Sequence, residues 1–567
     1  MSAAPLASLN VNATAVFLPT NSAVWQVPAN WDSGTIPNGT RAAVTIPASL
    51  TGARNITNSA PLTVSSIHFS NSTSTNQNKI KGTAGQVLTF ASEGGTSSVT
   101  VTGSGIGYGN IEVAGGVVLS NTLVLDVQNI ATGNTEYGAL RLQGNWSGSG
   151  KIIKRGPGIA GITGGGKTFS GDIVVEQGVL TFSEPAITGN NVTNYTVQSG
   201  GQLRLSSSGN PRNYLLKGPL LLAGLGRSGV SDNENQGVLG ALRLEIGSSG
   251  TVAVLTNRVE LTANADIHVS ATNTISLLGE LTGSDVLTKS GGGTLSLGTN
   301  TTTFSGSIQV NRGILNLDGV QLTNLLSMNL ANETTLMGRG TISGGVILQA
   351  GAVLESNQGA TPGSAPLAVG GFVVQGPSIL NLKFVGTPTS GLYPVLTCAS
   401  GIEGLSSLTL MGVPLGLSAS LIQQGNTVSA ILSSSSSEAW LLKNSLPLDG
   451  LGAGDWSGDL DGNGLSLMEE YFFGVTPATP VSGSALLQSE IQPAGPTLSV
   501  LYRKNKAATD LIGTAVWSDT LESASWSSSG ITDIQVQNDL DYETRRASIP
   551  ILPGESRKFM RIKIEKP

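Results

Sequence analysis

The chain is poor in the residues that most chemistry and most disulfide scaffolds need. Its 567 residues hold one cysteine, Cys398, and two histidines, His68 and His268. No internal disulfide can form, and a thiol in the apolar run Val395-Leu396-Thr397-Cys398 reads as a small core residue. Charged residues make up 12% of the chain, about half the usual ~25%. The net charge is −6, with no basic stripe and no interleaving of basic and aromatic residues, so nucleic acid is not an expected partner. No stretch of ~18 apolar residues occurs, so no transmembrane helix is expected. The first twenty residues lack a charged start and a continuous apolar run, so they do not read as a signal peptide. They read as a mature start behind an added Met, or as a leaderless protein. Helix signals are nearly absent before residue 460, because Gly or Pro interrupts every few residues. An apolar content of 39% nevertheless argues against disorder, which needs low hydrophobicity and high charge.

What the chain has is glycine and repetition. It contains 76 glycines. Residues 148–180 and 283–315 align without a gap at an offset of 135. Lys154, Gly156, Phe169, Gly171, Ile173, Val175, Gly178 and Leu180 match Lys289, Gly291, Phe304, Gly306, Ile308, Val310, Gly313 and Leu315. A shorter pattern recurs more often: a β-favouring residue, any residue, an aliphatic, then Gly three positions on. It occurs at Ile111/Val113/Gly116, Ile173/Val175/Gly178, Tyr195/Val197/Gly200, Ile308/Val310/Gly313 and Val346/Leu348/Gly351. Period-two alternation marks a strand with one buried face, and the Gly supplies a positive φ at a corner. The glycine spacings are close to multiples of about 19–23 residues, a length suited to one coil of a β-solenoid. The competing reading is a β-sandwich with coincidental Gly turns.

These residues carry a resemblance. The Lys-x-Gly…Phe-Ser-Gly…Gly-x-Leu pattern resembles the autotransporter-associated β-strand repeat of bacterial surface and secreted proteins. The opening run from Trp25 through Asn30, Trp31, Pro37 and Gly39 is similar to the start of such proteins. Gly338-Arg339-Gly340 through Gly344 to Pro362-Gly363 resembles the end of their repeat region. The likeness covers roughly residues 20–430. It implies export, a right-handed parallel β-helix and a surface or extracellular role. Too few residues follow for the usual membrane barrel of an autotransporter, so the chain resembles a passenger alone.

The expected organisation is a cap over residues 1–60, a parallel β-helix over 61–432, a Ser/Gly-rich linker over 433–454, a calcium loop and helix over 455–480, and a small β-sandwich over 481–567. Five serines, Ser433 to Ser437, read as a flexible linker. After them, Asp459-Leu-Asp461-Gly-Asn463-Gly464-Leu465 and onward to Glu470 fits the EF-hand loop D-x-[DN]-x-[DN]-G-x5-E. A hard cation wants six to eight oxygens. Asp459, Asp461 and Asn463 offer side chains, Leu465 a backbone carbonyl, and Glu470 a bidentate carboxylate, with Gly464 at the sharp turn. The Gly-rich segment before Asp455 does not read as an entering helix, so the site resembles the half EF-hands of dockerins and calcium-binding linkers. The alternative is an Asp/Asn/Gly turn that starts a helix. A structural, weak Ca²⁺ site is expected, about 10⁻⁴–10⁻³ M. The exit helix should run from Leu465 to Phe473 and stop at Gly474. Five short strands are expected beyond residue 481, with Trp517 and Trp526 as core anchors. Glu469-Glu470-Tyr471-Phe472-Phe473-Gly474 followed by such strands resembles the C-terminal ends of repeat proteins from Verrucomicrobia-like bacteria.

Two function classes follow. The first is a non-catalytic secreted or cell-surface adhesive protein whose partner is a glycan, another surface or a second copy. The second is a polysaccharide-binding or polysaccharide-degrading β-helix, a lyase or hydrolase. The second needs clustered carboxylates with basic partners. The histidines are 200 residues apart, and Arg561-Ile562-Lys563 lies in the last strand. Asp232-Asn233-Glu234 reads as a solvated loop. Lys154 and Lys289, repeated at equal places, read as structural. No catalytic residue is assigned.

Overall fold

The computed structural model describes all residues except 1–13, 49–51, 72–75, 131–137, 165, 183–190, 207–211, 214–215, 228–239, 246–249, 299–302, 447, 449–454, 478–480, 482–485, 493–495 and 567. Among the described residues the protein is nearly all β, with a large parallel sheet of many strands and two α-helices. The chain divides into two compact units. One comprises 1–357, 366–381 and 397–409, the other 358–365, 382–396 and 410–567.

In the first unit, strands pair in parallel with strands a few tens of residues further along the chain. A single column of paired positions runs Ala23, Ile56, Ile80, Ile111, Leu142, Ile162, Phe182, Leu205, Leu244, Val269. From Ile56 onward every member is at most 2% exposed. A second column, Leu255, Leu277, Leu297 and Leu317, is equally buried. Because side chains alternate along a strand, in-register stacking puts the apolar residues of these columns one over the next. The five pattern glycines Gly116, Gly178, Gly200, Gly313 and Gly351 all have φ between 71° and 99°, as the sequence pattern predicts.

The duplicated segments repeat their contacts as well as their residues. A Cβ on Gly178 would lie 2.4 Å from the Gly156 carbonyl oxygen and 2.6 Å from that of Gly158. A Cβ on Gly313 would lie 2.5 Å from the carbonyl oxygens of Gly291 and Gly293, the same positions one repeat later. Phe169 and Phe304 are both fully buried. The two lysines also match. Lys154 Nζ donates to the carbonyl oxygens of Arg155 (2.6 Å), Gly156 (2.7 Å) and Gln177 (3.1 Å). Lys289 Nζ donates to those of Ser290 (2.8 Å), Gly291 (2.6 Å) and Arg312 (2.8 Å). Each ammonium ties two carbonyls of its own corner to one carbonyl of the next unit, and both side chains are fully buried. Burial pulls the Lys154 ammonium down to about 7, while Asp126 pushes back. Three carbonyls match the three N–H donors of the charged form, which is the form this geometry needs.

The N-terminal aromatics close the column. Trp25 and Trp31 are at most 1% exposed, as is Phe17. Trp31 Nε1 donates to the Trp25 carbonyl at 2.8 Å, and Trp25 Nε1 to that of Pro37 at 3.0 Å. Asn30 Nδ2 closes the turn onto the Val24 carbonyl at 2.7 Å.

In the second unit, the hairpin Ser418–Gln424/Thr427–Ser433 leads into helix α1, Ser436–Lys443. The serine run differs from the expected linker. Ser433 ends a strand, and Ser435 caps α1 by accepting the Glu438 N–H, so these hydroxyls serve a helix start. Residues 449–454 of the expected linker lie outside the described residues. Helix α2, Leu467–Phe473, begins with a capping box between Ser466 and Glu469 and ends at Gly474 with φ 69°. It starts two residues later than expected because Ser466 is the better N-cap. A four-stranded antiparallel sheet follows in the order Leu487–Gln492, Thr497–Asn505, Tyr542–Pro550, Thr532–Asn538, beside the pair Ile512–Ser518/Phe559–Glu565. All five expected strands are present, and Leu487–Gln492 is an addition. The core anchors differ. Trp517 and Trp526 are only half-buried, with Lys558 over one ring and Arg561 over the other. The core is instead built on Tyr471, Phe472 and Phe473 of α2 with Tyr502, Ala515 and Ala547. A Cβ on Gly513 would lie 2.2 Å from Phe472 Cζ, so the helix and the sheet are one packed body.

Candidate functional site

The acidic loop lies immediately before α2 and is held by its own backbone. Asp459 Oδ1 accepts the N–H of Gly462 (2.9 Å) and Asn463 (3.2 Å), and Oδ2 accepts that of Gly464 (2.8 Å). Asp461 Oδ1 accepts the Asn463 N–H at 3.1 Å. The Asn463 side-chain amide donates to Asp461 Oδ2 at 3.1 Å and to Glu470 Oε1 at 3.0 Å. Its Oδ1 accepts the Leu465 N–H at 2.8 Å. Glu470 is 1% exposed, and its Oε2 has no hydrogen-bond partner. Burial raises the Glu470 carboxyl above its ordinary value, the Asn463 amide opposes this, and Asp461 and Asp459 add to the rise. Among the described residues no group of three or more acidic, His or Cys side chains is placed to hold a metal ion. An amide holds the place between Asp461 and Glu470, where its partial positive charge answers two carboxylates. Asp459, Asp461 and Glu470, the last with an unpartnered buried oxygen, are hard oxygen donors of the kind Ca²⁺ takes, while the Asn463 side chain turns its nitrogen and not its oxygen toward two of them.

A second polar group lies in the first unit. Arg141, Gly161, Thr181, Arg204, Arg243, His268 and Ser290 occupy one column of paired positions. Arg204 Nε donates to Thr181 Oγ1 at 2.9 Å, and its guanidinium meets Glu245 at 2.8 Å. Arg243 lies 3.8 Å from the same carboxylate. Ser290 Oγ donates to Asp266 Oδ2 at 2.7 Å and lies 3.0 Å from His268 Nδ1. Asp266 and His268 are fully buried. Sequence reasoning missed this array. Its signal is the Leu-Arg-Leu triplet at 140–142, 203–205 and 242–244, which places a basic residue between two core leucines three times.

The cluster gathers a serine, a histidine and an aspartate in the wrong order for acyl transfer. There the imidazole stands between hydroxyl and carboxylate and takes the serine proton. Here the hydroxyl stands in the middle and donates its hydrogen bond to the carboxylate. His268 is thus a hydrogen-bonded residue on a strand face, as expected, and so is His68, whose Nε2 lies 2.8 Å from Thr102 Oγ1. Arg561 and Lys563 lie on the last strand, Phe559–Glu565. Cys398 is buried and its thiol donates to the Ser400 carbonyl. Asp232 and Glu234 lie outside the described residues.

The array makes stability depend on pH. Burial pushes the Asp266 carboxyl up to about 7, against the pull of the Ser290 hydroxyl and the Lys289 ammonium. Its folded value lies above the unfolded value near ~4, so the folded state retains a proton that the unfolded state releases. The stability is fully present below about pH 4 and is lost as pH rises through about 7. Asp266→Asn removes this slope. At pH 8 the variant is expected to exceed the wild type by up to about 4 kcal/mol, and at pH 4 to match it. Urea melts at the two pH values check this; equal differences at both would count against it.

No protein-family model matches the chain, and no solved structure matches it. Over 258 residues, 45% of its length, the chain is 26% identical to the adhesin BmaC autotransporter of Brucella suis biovar 1 (strain 1330). It spans 7% of that relative's own length. Among the described residues, no helix is long and apolar enough to cross a membrane.

Proposed function

We propose that this chain is a non-catalytic adhesive protein of the cell surface or extracellular space. Its parallel columns are wound as a right-handed β-helix, and a structural Ca²⁺ sits at Asp459, Asp461, Asn463, Leu465 and Glu470. The likeness to an adhesin autotransporter over 258 residues carries the reading. The paired columns support it: each unit buries its apolar face on the next, which suits an extended scaffold that offers its polar outside to a partner. The Asp266, Ser290 and His268 side chains hydrogen-bond one another, an arrangement that suits support more than cleavage.

Beads coated with the purified chain test this. They should bind a glycan-bearing cell surface saturably and release no reducing ends from pectin or alginate. Antibody should label intact producing cells. Oligosaccharide release that disappears in Asp266→Asn or His268→Ala would overturn the non-catalytic reading, and failure to adhere would overturn the adhesive one.

A further inference from the structure

The second unit contains a cleft of about 600 Å³ between the hairpin strand Ser418–Gln424, helix α1, the end of α2 at Gly474 and the segments around Asn505 and Tyr542. Its size is that of a small-ligand site. Its walls carry hydroxyls and amides with one indole. Ser420, Trp440, Lys443, Asn444, Lys506 and Asp541 all line it. The Trp440 ring is steadied from behind by Tyr471, 5.4 Å away, and by Trp456, 6.4 Å away. Hydroxyl pairs join α1 to the segment after Asn505, Ser436 to Thr509 at 2.8 Å, and close the end of the hairpin, Ser418 to Ser433 at 2.9 Å. The cleft is therefore built on helix and strand and not on a loose loop.

Charge decides the class of ligand. Lys443 is exposed, and among the described residues its ammonium makes no ion pair and no hydrogen bond. The Lys506 ammonium meets only the Asp539 carbonyl. Asp541 brings one negative charge, so the lining favours an anion by one unit. Phosphate sites favour bidentate arginines, and among the described residues no arginine lines this cleft. A lone ammonium beside hydroxyls, amides and an indole suits a carboxylate on a ring whose other face is apolar and whose edge is hydroxylated.

We propose that this cleft binds an acidic saccharide, a uronic-acid-type sugar. Lys443 meets the sugar carboxylate, Asn444 and Asp541 meet its hydroxyls, and Trp440 lies under the ring. The proposal rests on the adhesive reading above and gives it a contact. Isothermal titration of the full chain with trigalacturonate is expected to show binding below about 1 mM, with the neutral maltotriose at least about tenfold weaker. Lys443→Glu and the cleft-filling Ser420→Trp, both at exposed positions, should each weaken trigalacturonate at least about tenfold with an unchanged thermal melt. Absence of trigalacturonate binding, equal binding of maltotriose, or wild-type binding by both variants overturns the cleft. Bead adhesion is scored in parallel. Variants that still adhere while the titration fails reject the cleft alone, whereas a wild type that binds the sugar and adheres to nothing rejects the adhesive reading alone.

Discussion

Lys154→Met and Lys289→Met should each lower the stability of the chain by about 3–5 kcal/mol, far more than a surface lysine change. Each buried ammonium donates to three carbonyl oxygens, one of them on a buried glycine, Gly156 or Gly291. Methionine fills a similar volume but donates nothing, so all three acceptors lose this donor and the one at the buried glycine loses it away from water. Each unpaired acceptor costs about 1–3 kcal/mol, offset in part because no charge remains to be desolvated. Exposed Lys81→Met is the control and should change stability by less than about 0.5 kcal/mol. Units that contact only their neighbours melt locally, so the double variant should show a separate early transition in a heat or urea melt. Wild-type stability in both single variants would reject the lysines as ties.

Calcium should raise the melting temperature of the second unit. Asp459, Asp461 and Glu470 bring three carboxylates into one short loop, and Glu470 is buried with one oxygen unpartnered. Without a cation, proximity and burial disfavour the charged Glu470, as the raised carboxyl indicates. Ca²⁺ reverses both costs. At ~10 mM, about tenfold to a hundredfold above the expected dissociation constant, mass action adds about 1.4–2.7 kcal/mol. Because α2 carries Tyr471, Phe472 and Phe473 into the core of this unit, the gain should spread to the whole sheet. Trp456, at the loop's entry, offers a fluorescence readout. Mg²⁺ should do little, since it demands a smaller and more rigid octahedral shell. Asp459→Ala and Glu470→Ala should abolish the response. If both variants respond to calcium as the wild type does, the loop is a turn that starts a helix and no more.

Much of the first unit was legible because its information is periodic. A corner that needs positive φ selects Gly, and a strand with one buried face alternates, so Gly116, Gly178, Gly200, Gly313 and Gly351 announced their places. The repetition of Lys154 at Lys289 pointed to structure, and their matching carbonyl contacts give that its physical form. The Arg204–Glu245 and Asp266–Ser290–His268 contacts were hidden for the opposite reason. Their partners are 22 to 41 residues apart in sequence and meet only through register, which no local pattern encodes. In the second unit the end of α2 at Gly474 and five strands could be read from caps and alternation. The core could not. Trp517 and Trp526 looked like anchors by size, yet α2 outcompeted them, because three consecutive aromatics beside Gly513 fill the interior without burying an indole N–H. The serine run misled by composition, since hydroxyls that loosen a linker also cap a helix.

The 135-residue duplication has a consequence for length. Gly148 and Gly283 each sit over a leucine carbonyl, that of Leu119 in one case and Leu261 in the other. Gly156 and Gly291 each sit over the carbonyl of a valine, Val127 and Val269. At these two corners each repeat presents the same glycine-over-carbonyl contact to its predecessor. Joining residue 147 to residue 283 would delete 135 residues and keep these corner contacts, so a duplication or loss of one whole block is the length change that this register accommodates best.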